Sequence, residues 1–189
     1  WGREMIPVGI ELRLDGLAAL MLLTISVVGL ASTLFSVEYM SRFTARARYY
    51  SLFLFMVAGM NGVVLAGDLF NLYVFMEIAA IASYALVGFG CEHEELEASF
   101  KYIVLGSVSS GFILIGVALT YAETGALNMA HIADRLHEQG TGTTLLFVLA
   151  LFVCGFGLKA ALVPFHAWLP DAHPSAPAPI SAMLSGVVI

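Results

Sequence analysis

Long uncharged apolar runs alternate with short charged connectors along most of the chain. A helix of about 20 apolar residues, rising about 1.5 Å per residue, crosses a hydrocarbon core of about 30 Å. The pattern predicts spans over residues 16–37, 49–67, 69–91, 102–122 and 143–163, and the start of a further span at 180–189. A transmembrane barrel would instead show alternating segments of about ten residues. We therefore predict an all-α, polytopic transmembrane helix bundle that forms one membrane domain over residues 1–189.

The connectors between the apolar runs differ in character. Residues 123–142 are polar and predict a short surface helix over 129–137, whereas the segment from Pro164 to Pro179 holds five of the six prolines and predicts no helix. Pro164 cannot donate a hydrogen bond to the carbonyl of Ala160, so we predict a broken helix near Lys159–Pro164. The acidic run Glu92–Glu97 is typical of a solvated loop rather than a cation site.

Composition and charge support a membrane protein and exclude several other classes. Of the 189 residues, 60% are hydrophobic and 12% are charged, whereas about a quarter of a soluble domain is charged. The net charge of −6 provides no basic stripe for nucleic acid. Cys91 and Cys154 lie far apart and indicate neither a disulfide framework nor a metal site. Because the sequence opens on Trp1 and stops at Ile189 within an apolar run, we expect an internal part of a longer protein.

Two charges lie inside predicted spans, where a charge costs at least about 2.5 kcal/mol on insertion scales. These are Glu77 in the third span and Lys159 in the fifth. Such residues usually face a partner or a water-filled cavity. The simplest arrangement pairs Glu77 with Lys159 across two different helices.

Two interpretations of this pair remain open. A static ion pair would fix the registry of the helices. A switchable pair would carry protons, because burial disfavours the ammonium form of a lysine and a nearby carboxylate restores it. Gly155, Gly157 and Pro164 weaken the helix around Lys159, and broken helices at membrane depth usually line a cavity, which favours the carrier.

The histidines are the remaining candidates for proton chemistry. His166 is equally compatible with a proton relay and with structural hydrogen bonding, since imidazole titrates near neutral pH. For His173, Asp171, His131 and His137 a structural or solvated role is favoured. The sequence predicts no metal ligands, because no third ligand follows at a recognisable spacing. It also predicts no haem, since no span contains a histidine, and no other cofactor or catalytic residue.

The segment KAALVPFHAWLPDAHPSAPAPISAMLSG, residues 159–186, resembles the signature of the antiporter-like proton-pumping subunits. This family is shared by respiratory complex I (NADH-quinone oxidoreductase), Mrp-type cation/proton antiporters and membrane-bound hydrogenases. Phe75-Met76-Glu77 with Ser83-Tyr84, and Leu14-Asp15-Gly16-Leu17, resemble two further elements of the same family. Met76 departs from the aromatic residue often found before the glutamate.

The resemblance implies a position and a role for each charged residue. Glu77 matches the glutamate of the family's fifth helix and Lys159 the lysine of its broken seventh helix, together the input pair of a half-channel. His166 matches a histidine of the same signature. The family has about fourteen helices in two inverted repeats, so the chain resembles helices three to the start of eight, with one repeat largely present. Its central lysine and the output half-channel would lie outside this chain.

The leading hypothesis is a proton-translocating subunit of a redox-driven or cation/proton antiporter complex, with no redox centre of its own. We expect other membrane subunits, the lipid bilayer and protons as partners, with sodium left open, in a prokaryotic cell membrane. Arg42, Arg46 and Arg48 predict that their connector is cytoplasmic. The alternatives are a self-sufficient secondary transporter or channel with its site at the broken helix, and a purely structural scaffold.

Overall fold

The structure is a computed structural model that describes residues 10–140 and 142–188, so Trp1 and Ile189 lie outside it. Its described residues form eight α-helices and no β-strand, which confirms the predicted all-α bundle. The helices are α1 Gly16–Tyr39, α2 Arg46–Leu65, α3 Leu69–Val87, α4 His93–Thr124, α5 Met129–Gln139, α6 Thr143–Lys159, α7 Leu169–Ser175 and α8 Ala178–Met183. A 3-10 turn, Met40–Arg42, follows α1, and a π-helical segment, Leu184–Val188, follows α8.

Charged and polar residues at the ends of the apolar runs cap the helices. The Asp15 carboxylate accepts a hydrogen bond from the backbone N–H of Ala18 at 2.8 Å and begins α1. Asp68 begins α3 in the same way through the N–H of Asn71, also at 2.8 Å. Each carboxylate satisfies a backbone donor that the helix itself leaves unpaired. The same charge that ends an apolar run in the sequence therefore starts a helix in the structure.

Four described helices are long and apolar enough to cross a membrane, namely α1 with its 3-10 extension, α2, α3 and α4. The α6 helix has 17 residues and is shorter than the predicted run over 143–163. The surface helix predicted over 129–137 is present as α5, and Asn128 caps its start.

Two predictions about the connectors are wrong. The acidic run is not a loop, because α4 begins at His93 and includes Glu94 and Glu95 in its first turn, with a capping box between Glu92 and Glu95. Carboxylates at a helix N-terminus are stabilised by the helix dipole, which explains the early start. The proline-rich segment also forms a helix, α7, with Pro170 in its first turn and Pro174 inside it.

The long helices pack so that α4 lies between two others. The α2 and α3 helices pack along each other, α3 also contacts α4, and α6 packs along α4 on another side. By contrast, α3 and α6 do not pack extensively on each other. Buried side chains of α2, α3 and α4, together with Trp168 and Ile180, form the main apolar core.

The seam between α2 and α3 depends on a glycine. An added Cβ at Gly59 would lie 2.5 Å from the backbone nitrogen of Ala79 and 2.8 Å from the carbonyl oxygen of Phe75. Both neighbours are backbone atoms of α3 and cannot rotate away. The close approach of the two helices therefore requires glycine at this position.

We expect Gly59→Ala to lower the free energy of unfolding by about 1–3 kcal/mol, because the two backbones must separate. The matched control is Gly111→Ala, since Gly111 lies in α4 with nothing within 4 Å of an added Cβ. The control is expected to be neutral or slightly stabilising, because alanine forms helices better than glycine. Thermal unfolding of the detergent-purified protein compares the two, and equal effects would contradict the seam.

Candidate functional site

Glu77 and Lys159, the two charges inside apolar runs, lie next to each other in the structure. The Nζ atom of Lys159 is 3.0 Å from the Oε1 atom of Glu77. Glu77 lies in the middle of α3, and Lys159 is the last residue of α6. Because α3 and α6 both pack on α4, that helix sets the separation of the two backbones and leaves the side chains to bridge it.

Both side chains are largely shielded from solvent. The exposed fraction of the side chain is 16% for Lys159 and 24% for Glu77. The position of Lys159 also favours its ammonium form, because unpaired carbonyl groups give the C-terminal end of a helix a partial negative charge. The pair is thus a charge-assisted hydrogen bond in surroundings that contain few other polar groups.

A serine of α4 binds the same carboxylate oxygen as the lysine. The hydroxyl of Ser110 donates to Glu77 Oε1, and its oxygen also lies 2.9 Å from the carbonyl oxygen of Gly106 in its own helix. The neighbouring Ser109 donates to the carbonyl of Gly155 in α6, at 2.7 Å. Ser109 and Ser110 therefore connect α4 to both helices that carry the charges.

A tyrosine of α3 completes the polar surroundings of the lysine. The hydroxyl of Tyr84 lies 3.5 Å from Lys159 Nζ, and its ring packs edge-on against Tyr102 with centroids 4.5 Å apart. An added Cβ at Gly106 would collide with the Tyr84 hydroxyl, so glycine at this position makes room for it. Tyr102 in turn hydrogen-bonds Ser83 at 3.1 Å.

The α6 helix ends directly at Lys159 in a Schellman motif. The N–H of Leu162 donates to the carbonyl of Gly157 at 2.9 Å, and the N–H of Ala161 donates to that of Leu158 at 3.3 Å. Ala161 takes the left-handed conformation, with φ of 49°, which a residue with a Cβ adopts at a cost of about 1–2 kcal/mol. The helix therefore ends before the clash at Pro164 that the sequence suggests as the cause.

Trp168 secures this helix end from the connector that follows. Its indole N–H donates to the carbonyl of Leu158 at 2.9 Å. Its ring stacks on Tyr102, with centroids 4.3 Å apart and an interplanar angle of 9°. The side chain is 2% exposed, so the bond forms in a dry environment. Trp168 thus joins the end of α6 to α4.

The other candidate residues lie apart from the pair. His166 is exposed, and no side-chain hydrogen bond of the described chain joins it to Glu77 or Lys159. His173 Nδ1 lies 2.9 Å from the Ser181 hydroxyl. Asp171 forms an exposed ion pair with Lys101 at 2.8 Å. His131 and His137 are exposed on α5.

Sequence reasoning missed three residues around the pair. Ser110 was predicted to be a packing residue among the glycines and serines of α4. Tyr84 was recognised only as part of the family resemblance, although a spacing of seven residues places it on the same helical face as Glu77. Trp168 appeared only within the signature segment, and no pattern in a single sequence indicates which carbonyl an indole reaches.

Comparison with known families identifies the origin of this arrangement. Residues 66–189 match the family described as NADH:quinone oxidoreductase/Mrp antiporter, TM, which covers more than half of the chain. The chain belongs to this family. Residues 4–50 match a second family, described as NADH-Ubiquinone oxidoreductase (complex I), chain 5 N-terminus. This membership confirms the predicted family, and the chain is an integral membrane protein of the antiporter family.

Relatives in both branches of the family are similar to the chain. It is 40% identical to NADH-quinone oxidoreductase subunit N of Desulforudis audaxviator, over 96% of this chain and 36% of that protein. It is also 40% identical to a Na(+)/H(+) antiporter subunit of Bacillus subtilis, over 96% of this chain and 37% of that protein. The chain thus spans a little over a third of the length of these antiporter-family relatives.

A solved structure shows the same fold. A chain of the membrane-bound sulfane sulfur reductase, an archaeal respiratory membrane complex, superposes with a TM-score of 0.92 and is 44% identical. The match covers 99% of this chain and 38% of that one. The helical arrangement around the pair is therefore that of the antiporter family.

We expect Trp168→Phe to lower the free energy of unfolding by about 1–3 kcal/mol. The change removes a hydrogen bond worth about 1 kcal/mol and leaves a cavity beside Tyr102. Phe147→Leu is the control, because Phe147 lies on α6 with 57% exposure. Thermal unfolding measures both variants, and a Trp168→Phe effect no larger than the control would contradict a role in securing the helix end.

Proposed function

We propose that the chain forms part of an antiporter-like membrane subunit that moves protons through the Glu77–Lys159 pair. The supporting observation is the contact of 3.0 Å between these two charges at the end of α6. Membership of the NADH:quinone oxidoreductase/Mrp antiporter family supports the same assignment. The whole subunit would act within a larger complex, driven by redox chemistry or by exchange of protons for another cation.

The chemistry of the pair follows from its surroundings. With the carboxylate in contact, the ammonium form of Lys159 is stabilised by the opposite charge and by the helix end. When the pair separates, that stabilisation is withdrawn while the desolvation remains, and the lysine releases its proton to a neighbouring acceptor or water. Contact and separation of two side chains thus become uptake and release of a proton.

The geometry around the pair permits such a change. The two side chains bridge helices that do not pack extensively on each other, and one of them projects from a helix terminus. The connector beyond Ala161 is irregular until α7 begins at Leu169. The role predicted for His166 as a relay stays a prediction, because no described contact joins its side chain to the pair.

Substitution of either charge tests the carrier role. We expect Lys159→Ala and Glu77→Gln to reduce proton transport to near background, normalised to the amount of assembled complex. The lost groups carry or modulate a proton and fill little of the apolar core. Lys101→Ala and Glu97→Gln are matched controls, because these residues form an exposed ion pair at 2.8 Å on α4 and should retain transport.

Other outcomes would favour different functions. Normal transport per assembled complex in both pair variants, with reduced assembly, would support a structural ion pair. Removing one partner of a buried pair leaves an uncompensated charge that costs about 3–5 kcal/mol. Transport by the full-length subunit reconstituted alone would support a self-sufficient transporter, whereas dependence on neighbouring subunits would support the complex.

We also propose that the connector containing Arg42, Arg46 and Arg48 lies in the cytoplasm. Cys91, which is exposed between α3 and α4, would lie on the same side. A membrane-impermeant maleimide should therefore label Cys91 in inverted vesicles and leave it unlabelled in right-side-out vesicles, with Cys154 replaced by Ala. In a Cys91→Ser background, Glu138→Cys on α5 should give the reverse pattern, and labelling of both sites from one side would contradict the topology.

A further inference from the structure

We propose that Ser110 is a positioning residue for Glu77 that holds the carboxyl group in both of its protonation states. The inference rests on the proposed function, because it concerns a carboxyl group that gains and loses a proton. It assigns a specific task to a serine that the sequence alone places among packing residues. The task follows from the two hydrogen-bond acceptors that the serine hydroxyl faces.

The hydroxyl of Ser110 has one proton and two acceptors within reach. One is Glu77 Oε1 on α3, and the other is the carbonyl of Gly106, 2.9 Å away in the same helix. A hydroxyl carries one donor and two acceptor lone pairs, and rotation about its C–O bond selects the partner. Ser110 is 5% exposed, so solvent does not compete for that proton.

Each protonation state of Glu77 then has a complete set of hydrogen bonds. A charged carboxylate only accepts, so Ser110 donates its proton to Oε1 and Lys159 donates a second one. A protonated carboxyl group needs an acceptor for its own O–H, and the Ser110 oxygen provides it while the serine proton turns to the Gly106 carbonyl. The change requires rotation of one hydroxyl group and no movement of a helix.

The neighbouring lysine cannot take over this task. An ammonium group donates hydrogen bonds and has no lone pair, so Lys159 in its charged form can satisfy only the carboxylate. A buried polar group without a partner costs about 1–3 kcal/mol, and without Ser110 the protonated Glu77 would pay that cost or change its rotamer. Loss of the serine should therefore disturb the placement of Glu77 toward Lys159.

The test compares Ser110→Ala, which removes the hydroxyl, with Ser110→Thr, which keeps it. Ser107→Ala is the matched control, because the Ser107 hydroxyl is exposed and bonds only to the carbonyl of Ile103 in its own helix. In the assembled complex we expect Ser110→Ala to lower proton transport about tenfold, the factor that corresponds to about 1.4 kcal/mol. Ser110→Thr should restore transport, and Ser107→Ala should keep the wild-type rate.

A spectroscopic measurement separates positioning from packing. The infrared carboxyl band that disappears in Glu77→Gln should shift in Ser110→Ala, because a hydrogen bond to that oxygen is lost, and should stay in place in Ser110→Thr and Ser107→Ala. If Ser110→Ala does not assemble, Ser110→Cys replaces it, since a thiol is a similar size and a weak donor. An unshifted band, or wild-type transport in the variant without the hydroxyl, would overturn the proposal, as would failure of Ser110→Thr to restore transport at equal assembly.

The same set of variants separates failure of this inference from failure of the proposed function. Loss of transport in Lys159→Ala and Glu77→Gln with normal transport in Ser110→Ala would reject the serine and retain the carrier pair. Normal transport in both pair variants would reject the proton carrier. In that case a shifted carboxyl band in Ser110→Ala would still establish the contact between the serine and Glu77, while the positioning role in transport would be rejected with the carrier.

Discussion

A charge at membrane depth is tolerated only beside a partner, and this constraint determines how the three central helices meet. The cost of an unpaired charge in hydrocarbon, at least about 2.5 kcal/mol, is comparable to a substantial part of the stability of a folded protein. Lys159 and Glu77 satisfy each other at 3.0 Å, and Ser110 adds a donor to the same oxygen. The α4 helix must therefore contact both partners, which explains why its small side chains face α3 and α6.

The end of α6 is the second element on which the site depends. A helix that stops inside an apolar region leaves unpaired carbonyl groups, and each must find a donor. The Schellman bonds of Ala161 and Leu162 satisfy two of them, and the Trp168 indole binds the carbonyl of Leu158 as a further donor. Since Trp168 also stacks on Tyr102, the same side chain that completes the helix end ties it to α4.

The sequence predicts the helical class and the positions of most helices because lipid imposes a simple rule of length and polarity. It also indicates that Glu77 and Lys159 need partners, since neither has a local one. It does not indicate that Ser110 faces Glu77, because glycine and serine occur on any tightly packed membrane helix. The acidic run before Ala98 was misjudged because a capping box and a helix dipole stabilise residues that composition assigns to a loop.

The indirect packing of α3 and α6 has a consequence for how much work an opening of the ion pair requires. Each helix has its own apolar seam with α4, and neither seam includes the two charged groups. Separating Lys159 from Glu77 therefore leaves the area of buried hydrocarbon nearly constant. The energy of opening is confined to a few polar groups and the water that enters, so small changes in local charge or hydration have a large relative effect on it. The bundle thus combines a rigid frame with a compliant electrostatic contact inside it.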